Sequence, residues 1–197
     1  MSALKRKEII ITGFGGQGIV LAGQILGKSA SLIDRKETTL TQSYGPEARG
    51  GACSAQVIIS SGTIHFPYVR NPDILVCLSQ EGYNRYRRLL KETGMMMVDQ
   101  DLITNIETGP HDFFAVPATR IAEELGNKMM ANVVMLGFFT AVTAAVSLDA
   151  IRTTVAETVP ANTREKNLAA FNKGYDFGLA TLKGRRKKAS GRKGTTV

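Results

Sequence analysis

Cysteine, histidine and tryptophan are scarce in this chain of 197 residues, which contains two, two and none of them. Two cysteines are too few for a disulfide framework, a four-ligand metal site or a bound iron–sulfur cluster. Cys77 lies in an apolar run that predicts a buried strand, and Cys53 follows Gly51 in a predicted loop. We interpret Cys77 as a core packing residue and Cys53 as a small loop residue rather than a nucleophile, in a protein of the reducing cytoplasm.

Recognisable catalytic motifs are also missing. His65 falls in a predicted hairpin, and His111 follows Gly109-Pro110 in a predicted turn. The chain has no GxxxxGK[ST] loop, no HExxH helix and no Gly-Asp-Gly…Asn-Asn pattern of the kind that holds thiamine pyrophosphate and its metal. The sequence therefore predicts no active site that is complete within this chain.

No run of residues is apolar enough for a membrane span. The longest apolar stretch, residues 133–146, includes two threonines and is shorter than the roughly 20 residues that cross a bilayer. The short apolar run after Lys5-Arg6-Lys7 does not make the core of a signal peptide. We expect a cytoplasmic protein in which residues 133–146 form part of a buried helix.

Positive charge is concentrated at one end of the chain. The formal net charge is +8, and residues 183–197 contribute seven basic and no acidic side chains, so the rest of the chain carries +1. A basic run mixed with Gly, Ser and Thr is typical of a solvated, disordered tail. We therefore assign residues 1–182 to one domain and 183–197 to a basic tail. Nucleic-acid binding is disfavoured because it would rest on the tail alone, which has no interleaved aromatic residues.

Apolar runs and helical periodicities alternate along the domain, which predicts an α/β fold. The predicted strands cover 8–12, 37–42, 55–60, 74–78, 95–99 and 113–116, and the predicted helices cover 18–32, 80–91, 119–125, 129–147, 149–158 and 164–182. Ser61-Gly62 joins 55–60 to residues 63–66 in a pattern typical of an antiparallel hairpin. We predict a three-layer α/β/α single domain with a mixed, mostly parallel sheet.

Two glycine-rich segments carry the strongest functional signal. The first, GFGGQG at 13–18, lies between a strand and a helix, and the second is TQSYGPEARGG at 41–51. Glycine permits unusual backbone angles and close approach of a ligand or another chain, so both segments predict contact surfaces. The candidate residues are Gly13, Gly15, Gly16, Gln17, Gly18, Tyr44, Gly45, Pro46, Glu47, Arg49, Gly50 and Gly51.

A dinucleotide site is an alternative, because residues 13–18 match GxGxxG. Such a site also needs an acid at the end of the second strand, roughly 20 residues past the glycines. Asp34 lies before the second predicted strand, and that strand ends in Gln42-Ser43. The misplaced acid disfavours binding of NAD or FAD.

Both glycine-rich segments resemble those of the gamma subunit of 2-oxoacid:ferredoxin oxidoreductases. Further matches follow in the same order: PDILV at 72–76, SQ at 79–80, PAT at 117–119, IAEELG at 121–126, ANVVMLG at 131–137, and Asn167, Ala170, Phe171 and Gly174. The resemblance extends over residues 8–180 and leaves out only the basic tail.

The resemblance implies a role in a complex of alpha, beta, gamma and often delta subunits. Such complexes decarboxylate a 2-oxoacid on thiamine diphosphate, pass electrons through iron–sulfur clusters to ferredoxin and release an acyl-CoA. It implies that thiamine diphosphate, magnesium and the clusters lie on partner subunits, that this chain alone binds no cofactor and is inactive, and that coenzyme A is a co-substrate. The glycine-rich segments would then border the thiamine or CoA, or form a subunit contact.

The second glycine-rich segment also bears on the substrate. Its sequence is similar to the 2-oxoglutarate-type form, whereas pyruvate-type chains tend to have a phenylalanine-rich version with paired arginines. The resemblance therefore favours 2-oxoglutarate. Pyruvate, a branched-chain 2-oxoacid and indolepyruvate or another aryl-pyruvate are the alternative substrates, and a non-catalytic binding module of the same fold is the alternative function.

Overall fold

A six-stranded sheet lies between two layers of helices in the computed structural model, which describes residues 6–44, 52–107 and 109–192. The strands are β1 (Arg6–Phe14), β2 (Glu37–Ser43), β3 (Ala52–Ser60), β4 (Ile74–Cys77), β5 (Met95–Asp99) and β6 (Asp112–Val116). Their order is β2-β3-β1-β4-β5-β6, and β3 alone runs antiparallel to its neighbours. The predicted three-layer α/β/α fold with a mixed, mostly parallel sheet is confirmed.

Side chains alternate between the two faces of the sheet, as expected for strands. In β1, Ile9 and Ile11 join the larger of two apolar cores, whereas Ile10 joins the smaller core with Tyr83 and Tyr86. The helices are α1 (Ile19–Lys28), α2 (Gln80–Tyr86), α3 (Ala118–Glu124), α4 (Ala131–Thr143), α5 (Leu148–Thr158) and α6 (Arg164–Arg192). The smaller core lies under α2, and the other five helices cover the opposite face. None of the described helices is long and apolar enough to cross a membrane.

Helix α4 lies at the centre of the larger core, as its apolar sequence predicts. Residues 131–140 are all buried, because α4 packs against α6 while α1, α3 and α5 also contact it. Glycines allow this close packing. A Cβ atom on Gly137 would overlap the backbone of Phe171, and one on Gly174 would overlap the carbonyl group of Val134. The backbones of α4 and α6 therefore touch where the helices cross.

The predicted hairpin at residues 63–66 is wrong. Strand β3 is already paired on both sides, with β1 and with β2, so it has no free edge for the segment that follows it. Residues 63–66 form an irregular loop, and Phe66 contacts Tyr68, two residues further along the chain, at 5.5 Å between ring centroids. His65 therefore lies on an exposed loop, and Cys53 lies inside β3 instead of in a loop.

Two predicted helix ends also differ from the structure. The helix predicted over 129–147 ends at Thr143, because Ala144 adopts a left-handed conformation with φ of 48°. A new helix, α5, then begins after Ser147, whose hydroxyl accepts a hydrogen bond from the Ala150 amide at 3.2 Å. Helix α6 continues through Arg192, whereas composition predicts disorder beyond residue 182. Lys, Arg and Ala are good helix formers, which explains the continuation.

Candidate functional site: the carboxyl edge of the sheet

The two glycine-rich segments leave the sheet at the same edge. Strand β1 ends at Phe14, which pairs with Ala52 at the start of β3, and Ser43 at the end of β2 pairs with Ser54. We call this edge, where all strands except β3 end, the carboxyl edge, and the opposite one the amino edge. Tyr44 is 68% exposed here. The other candidates of the second segment lie outside the described residues: Gly45, Pro46, Glu47, Arg49, Gly50 and Gly51.

The first glycine-rich segment needs glycine for two reasons. Gly16 and Gly18 have φ of 93° and 71°, angles that other residues rarely adopt. A Cβ atom on Gly18 would also overlap the side-chain amide of Asn132, which donates a hydrogen bond to the Gly18 carbonyl at 3.0 Å. The segment is thus bound to the buried start of α4. Gly13 and Gly15 belong to the same turn, Gly13 as part of β1.

Gln17 fills the crevice between β1 and β4. Its Oε1 accepts a hydrogen bond from the Phe14 amide at 2.6 Å, and its Nε2 donates one to the Leu78 carbonyl at 3.0 Å. Helices α1 and α2, which follow these two strands, lie on opposite faces of the sheet, and such a switch point is where open α/β sheets bind ligands. A side chain of the protein thus spans the usual ligand position.

Asp34 lies at the amino edge, away from this crevice. Its carboxylate accepts hydrogen bonds from the amide and hydroxyl of Ser147, at 2.8 and 2.6 Å, and pairs with Lys36 at 3.3 Å. Burial alone would raise the pKa of Asp34, but the Ser147 hydrogen bonds and the Lys36 charge outweigh it, and the pKa is lowered. The acid that a dinucleotide site would need is therefore committed to a structural contact.

A cleft of about 220 Å³ opens beside Gln17 at the carboxyl edge. Its walls come from segments that are far apart in the sequence, following β1, β4, β5 and β6. Leu102 and Met129 are 37% and 51% exposed, so the cleft has an apolar rim next to the exposed Lys128. The residues that line it are Gln17, Leu78, Leu102, Thr119, Lys128, Met129 and Ala131.

Asp99 supports one wall of the cleft from below. It is fully buried at the end of β5, and it accepts hydrogen bonds from the hydroxyl of Thr119 at 2.6 Å and the amide of Thr119 at 3.0 Å. Burial raises the pKa of Asp99, although its hydrogen bonds with Thr119 and Asp101 oppose that shift. The carboxylate thereby fixes Thr119 at the cleft wall.

Another wall, which carries Leu102, depends on the Ser79-Gln80 pair. Gln80 Oε1 accepts hydrogen bonds from the amides of Thr104 and Asn105 at 3.1 and 3.0 Å. Ser79 caps α2 by accepting a hydrogen bond from the Gly82 amide at 3.1 Å. The start of α2 therefore holds the loop after β5 beside the cleft.

The remaining reactive side chains are not at the cleft. Cys53 and Cys77 are buried and free, and burial raises the pKa of both thiols. His65 and His111 precede β4 and β6, which places both near the amino edge. Within the described ranges, no group of three His, Cys, Asp or Glu side chains could hold a metal ion.

Sequence comparison identifies the family. Residues 8–177 match the pyruvate ferredoxin/flavodoxin oxidoreductase family. The chain belongs to that family. It is 51% identical over 174 residues to the 2-oxoglutarate synthase subunit KorC of Methanocaldococcus jannaschii, a match covering 87% of this chain and 93% of that subunit. Subunits of pyruvate synthase and ketoisovalerate oxidoreductase also match, at 33% and 35% identity.

Solved structures agree with this family assignment. The gamma subunit of a keto/oxoacid ferredoxin oxidoreductase from Geobacter sulfurreducens is 39% identical, with a TM-score of 0.82 over 89% of this chain and 97% of that one. The fold also matches, at 21% identity and a TM-score of 0.80, part of a 2-oxoglutarate:ferredoxin oxidoreductase from Magnetococcus marinus with 2-oxoglutarate, coenzyme A and succinyl-CoA bound. The match covers 89% of this chain and 31% of that larger protein.

Proposed function

We propose that this chain is the gamma subunit of a 2-oxoglutarate:ferredoxin oxidoreductase, which oxidatively decarboxylates 2-oxoglutarate to an acyl-CoA. The observation that carries the proposal is the 51% identity to KorC over 93% of that subunit's length. The 2-oxoglutarate-like form of residues 41–51 supports the same substrate. Pyruvate and branched-chain subtypes are disfavoured by the lower identity of their subunits. An indolepyruvate-type subunit or a non-catalytic binding module would also fit the fold, but neither accounts for the identity to KorC.

The reaction centres lie on partner subunits in this proposal. Thiamine diphosphate, magnesium and the iron–sulfur clusters belong to alpha, beta and delta subunits, and ferredoxin is the electron acceptor. The burial of both cysteines, Cys53 and Cys77, supports this division of labour, since iron–sulfur clusters are held by cysteine thiolates. We place the complex in the cytoplasm, where free cysteines such as Cys53 and Cys77 stay reduced.

In this proposal, the carboxyl edge is the surface by which the subunit contacts a partner subunit and coenzyme A. Exposed apolar side chains at Phe14, Leu102 and Met129 suit a protein partner that covers them. Lys128 in the cleft supplies positive charge suited to the phosphates of coenzyme A. The sequence of the second glycine-rich segment adds a further cation, Arg49, which lies outside the described residues. The edge would therefore contact a partner subunit while bordering the path of CoA.

The first test is to purify the chain alone and together with its coexpressed partner subunits. We expect the chain alone to be colourless and unable to reduce viologen with 2-oxoglutarate and CoA, and the coexpressed complex to do so. NADH, NADPH and FAD should leave the melting temperature of the isolated chain unchanged, because tight binding to the native state would raise it. Iron–sulfur absorbance from the chain alone, or a complex that prefers pyruvate, would contradict the proposal.

The second test addresses CoA. In the assembled complex, Lys128→Ala should raise the KM for CoA by roughly 10- to 150-fold, the range for a lost hydrogen bond to a charged group. The KM for 2-oxoglutarate should not change, and Arg49→Ala probes the second segment in the same way. Lys173→Ala, which removes an exposed lysine from α6, is the matched control. If Lys128→Ala and Arg49→Ala both assemble normally and keep their KM for CoA, the carboxyl edge would serve as a subunit contact and not as a CoA site.

A further inference from the structure

The basic end of α6 lies outside the part of the chain that matches the family. The match ends at residue 177, whereas α6 continues to Arg192. Residues 183–190 are exposed, and five of them are lysine or arginine. The described structure thus presents a helical extension whose charge contrasts with the nearly neutral domain before it.

Arg185 fixes the direction in which this extension leaves the domain. Its guanidinium forms an ion pair with Asp112, donates a hydrogen bond to the Phe113 carbonyl and lies 3.6 Å from the centre of the Phe114 ring. These residues belong to the start of β6. The extension is therefore attached at the amino edge, which is the edge opposite the cleft.

A shallow groove of about 550 Å³ runs along one face of the extension. Its lining residues recur at intervals of three and four, which places them on one side of a helix. They are Leu179, Leu182, Lys183, Arg186, Lys187 and Ser190. We call the two leucines and the three cations of this set the basic face. Leu179 is 45% exposed, and none of the three cations has an ion pair within the described chain.

We propose that the basic face binds an acidic polypeptide, whose carboxylates pair with Lys183, Arg186 and Lys187 and whose apolar side chains contact Leu179 and Leu182. Three cations on one face that have no ion pair among the described residues attract a complementary acidic surface. The adjacent leucines favour a polypeptide over RNA, because a leucine side chain has no charge or hydrogen-bond donor for a phosphate. Residues 183–190 also have no aromatic side chain on which a base could stack. Because the face lies at the amino edge, its occupant does not obstruct the cleft.

The test uses the full chain and two soluble probes, an acidic peptide of Glu and Leu with the leucines at helical spacing, and single-stranded poly(U) RNA of equal charge. The variant K183E/R186E/K187E reverses the basic face. The control R152E/K166E/K173E reverses three other exposed cations and changes the net charge equally. Binding is measured at about 50 mM and about 300 mM salt, conditions that differ in electrostatic screening.

We expect the first variant to weaken peptide binding about 10-fold or more, the sum for three exposed charge pairs, and the control to change it less than about 2-fold. Leu179→Ser should weaken binding of the Glu-Leu peptide but leave binding of poly-L-glutamate unchanged. Circular dichroism establishes that each variant keeps its helix content. Tighter binding of poly(U) than of the peptide, equal losses in the two triple variants, or no effect of Leu179→Ser would overturn the proposal.

Discussion

Glycine serves opposite purposes in two regions of this protein. Where α4 crosses α6, Gly137 and Gly174 have ordinary helical angles, and they matter because each meets the backbone of the other helix. At the carboxyl edge, Gly16 has open space around it and matters because its φ is 93°. The first region uses glycine to bring two backbones together, and the second uses it to turn the chain. An added methyl group should therefore act by overlap at Gly137 and Gly174 and by backbone strain at Gly16.

The largest effect is expected at the helix crossing. Gly174→Ala places a methyl group on the carbonyl of Val134, and neither backbone can move without separating α4 from α6. We expect a loss of about 3 kcal/mol or more in the free energy of unfolding, at the upper end for overpacked cores. Denaturant unfolding of the isolated chain measures it.

Gly184→Ala is the matched control, since Gly184 lies in the same helix with nothing near its Cβ position. That substitution should be neutral or stabilise the chain by up to about 1 kcal/mol, because alanine favours helix. Similar losses in the two variants would mean that the helix crossing does not depend on glycine.

An intermediate effect is expected at the carboxyl edge. Gln17→Ala leaves the Phe14 amide and the Leu78 carbonyl without their partner, which should cost about 1 to 3 kcal/mol of unfolding free energy. Gln24→Ala, at a half-buried position of α1, should cost less unfolding free energy than Gln17→Ala does. In the complex, Gln17→Ala should also disturb assembly or CoA binding more than Gly184→Ala does. If the Gln17→Ala chain is less stable but still assembles and turns over normally, the crevice contributes to stability and not to function.

The smallest effect is expected at Asp34, which belongs to neither glycine region. Its pKa is lowered in the folded state, so its contribution to stability is present above about pH 4 and is lost as the pH falls through the folded-state pKa. Asp34→Asn should lower stability at neutral pH by about 1 kcal/mol, since the amide keeps one acceptor for Ser147. The difference from the native chain should shrink below about pH 4. Denaturant titrations at several pH values test this, and a constant difference would contradict it.

The core was predictable because its strands are short apolar runs that end in clear turn residues. Apolar runs such as 74–78 and 95–99 are typical of buried strands, and the sequence of α4 has no polar side to face water. The partners of β3 were not predictable, because nothing local shows that a strand will insert between two others. The hairpin error at 63–66 follows from that, since Ser61-Gly62 is a good turn whether or not a strand edge is free.

The site was predictable only where its signal is local. The glycine pattern of residues 13–18 by itself indicates a contact turn. The carbonyl that accepts the hydrogen bond of Gln17, however, lies 61 residues later in the chain. Thr119 and Lys128 join the cleft through the packing of α3 and α4, and composition does not distinguish them from other polar residues. The strings PAT at 117–119 and ANVVMLG at 131–137 were the available signals, and they pointed to the family without indicating a cleft.

Helix α6 contains both deeply buried and fully exposed turns. Ala170 and Phe171 are fully buried, whereas residues from Lys183 onward are exposed. Amide hydrogens around Gly174 can exchange with solvent only when α4 separates from α6, which requires most of the domain to unfold. Amide hydrogens beyond Lys183 need only local fraying of the helix end, which the contacts of Arg185 with β6 restrain. Exchange rates should therefore rise by several orders of magnitude along this one helix, so its far end can change shape around a bound partner while its first half stays fixed.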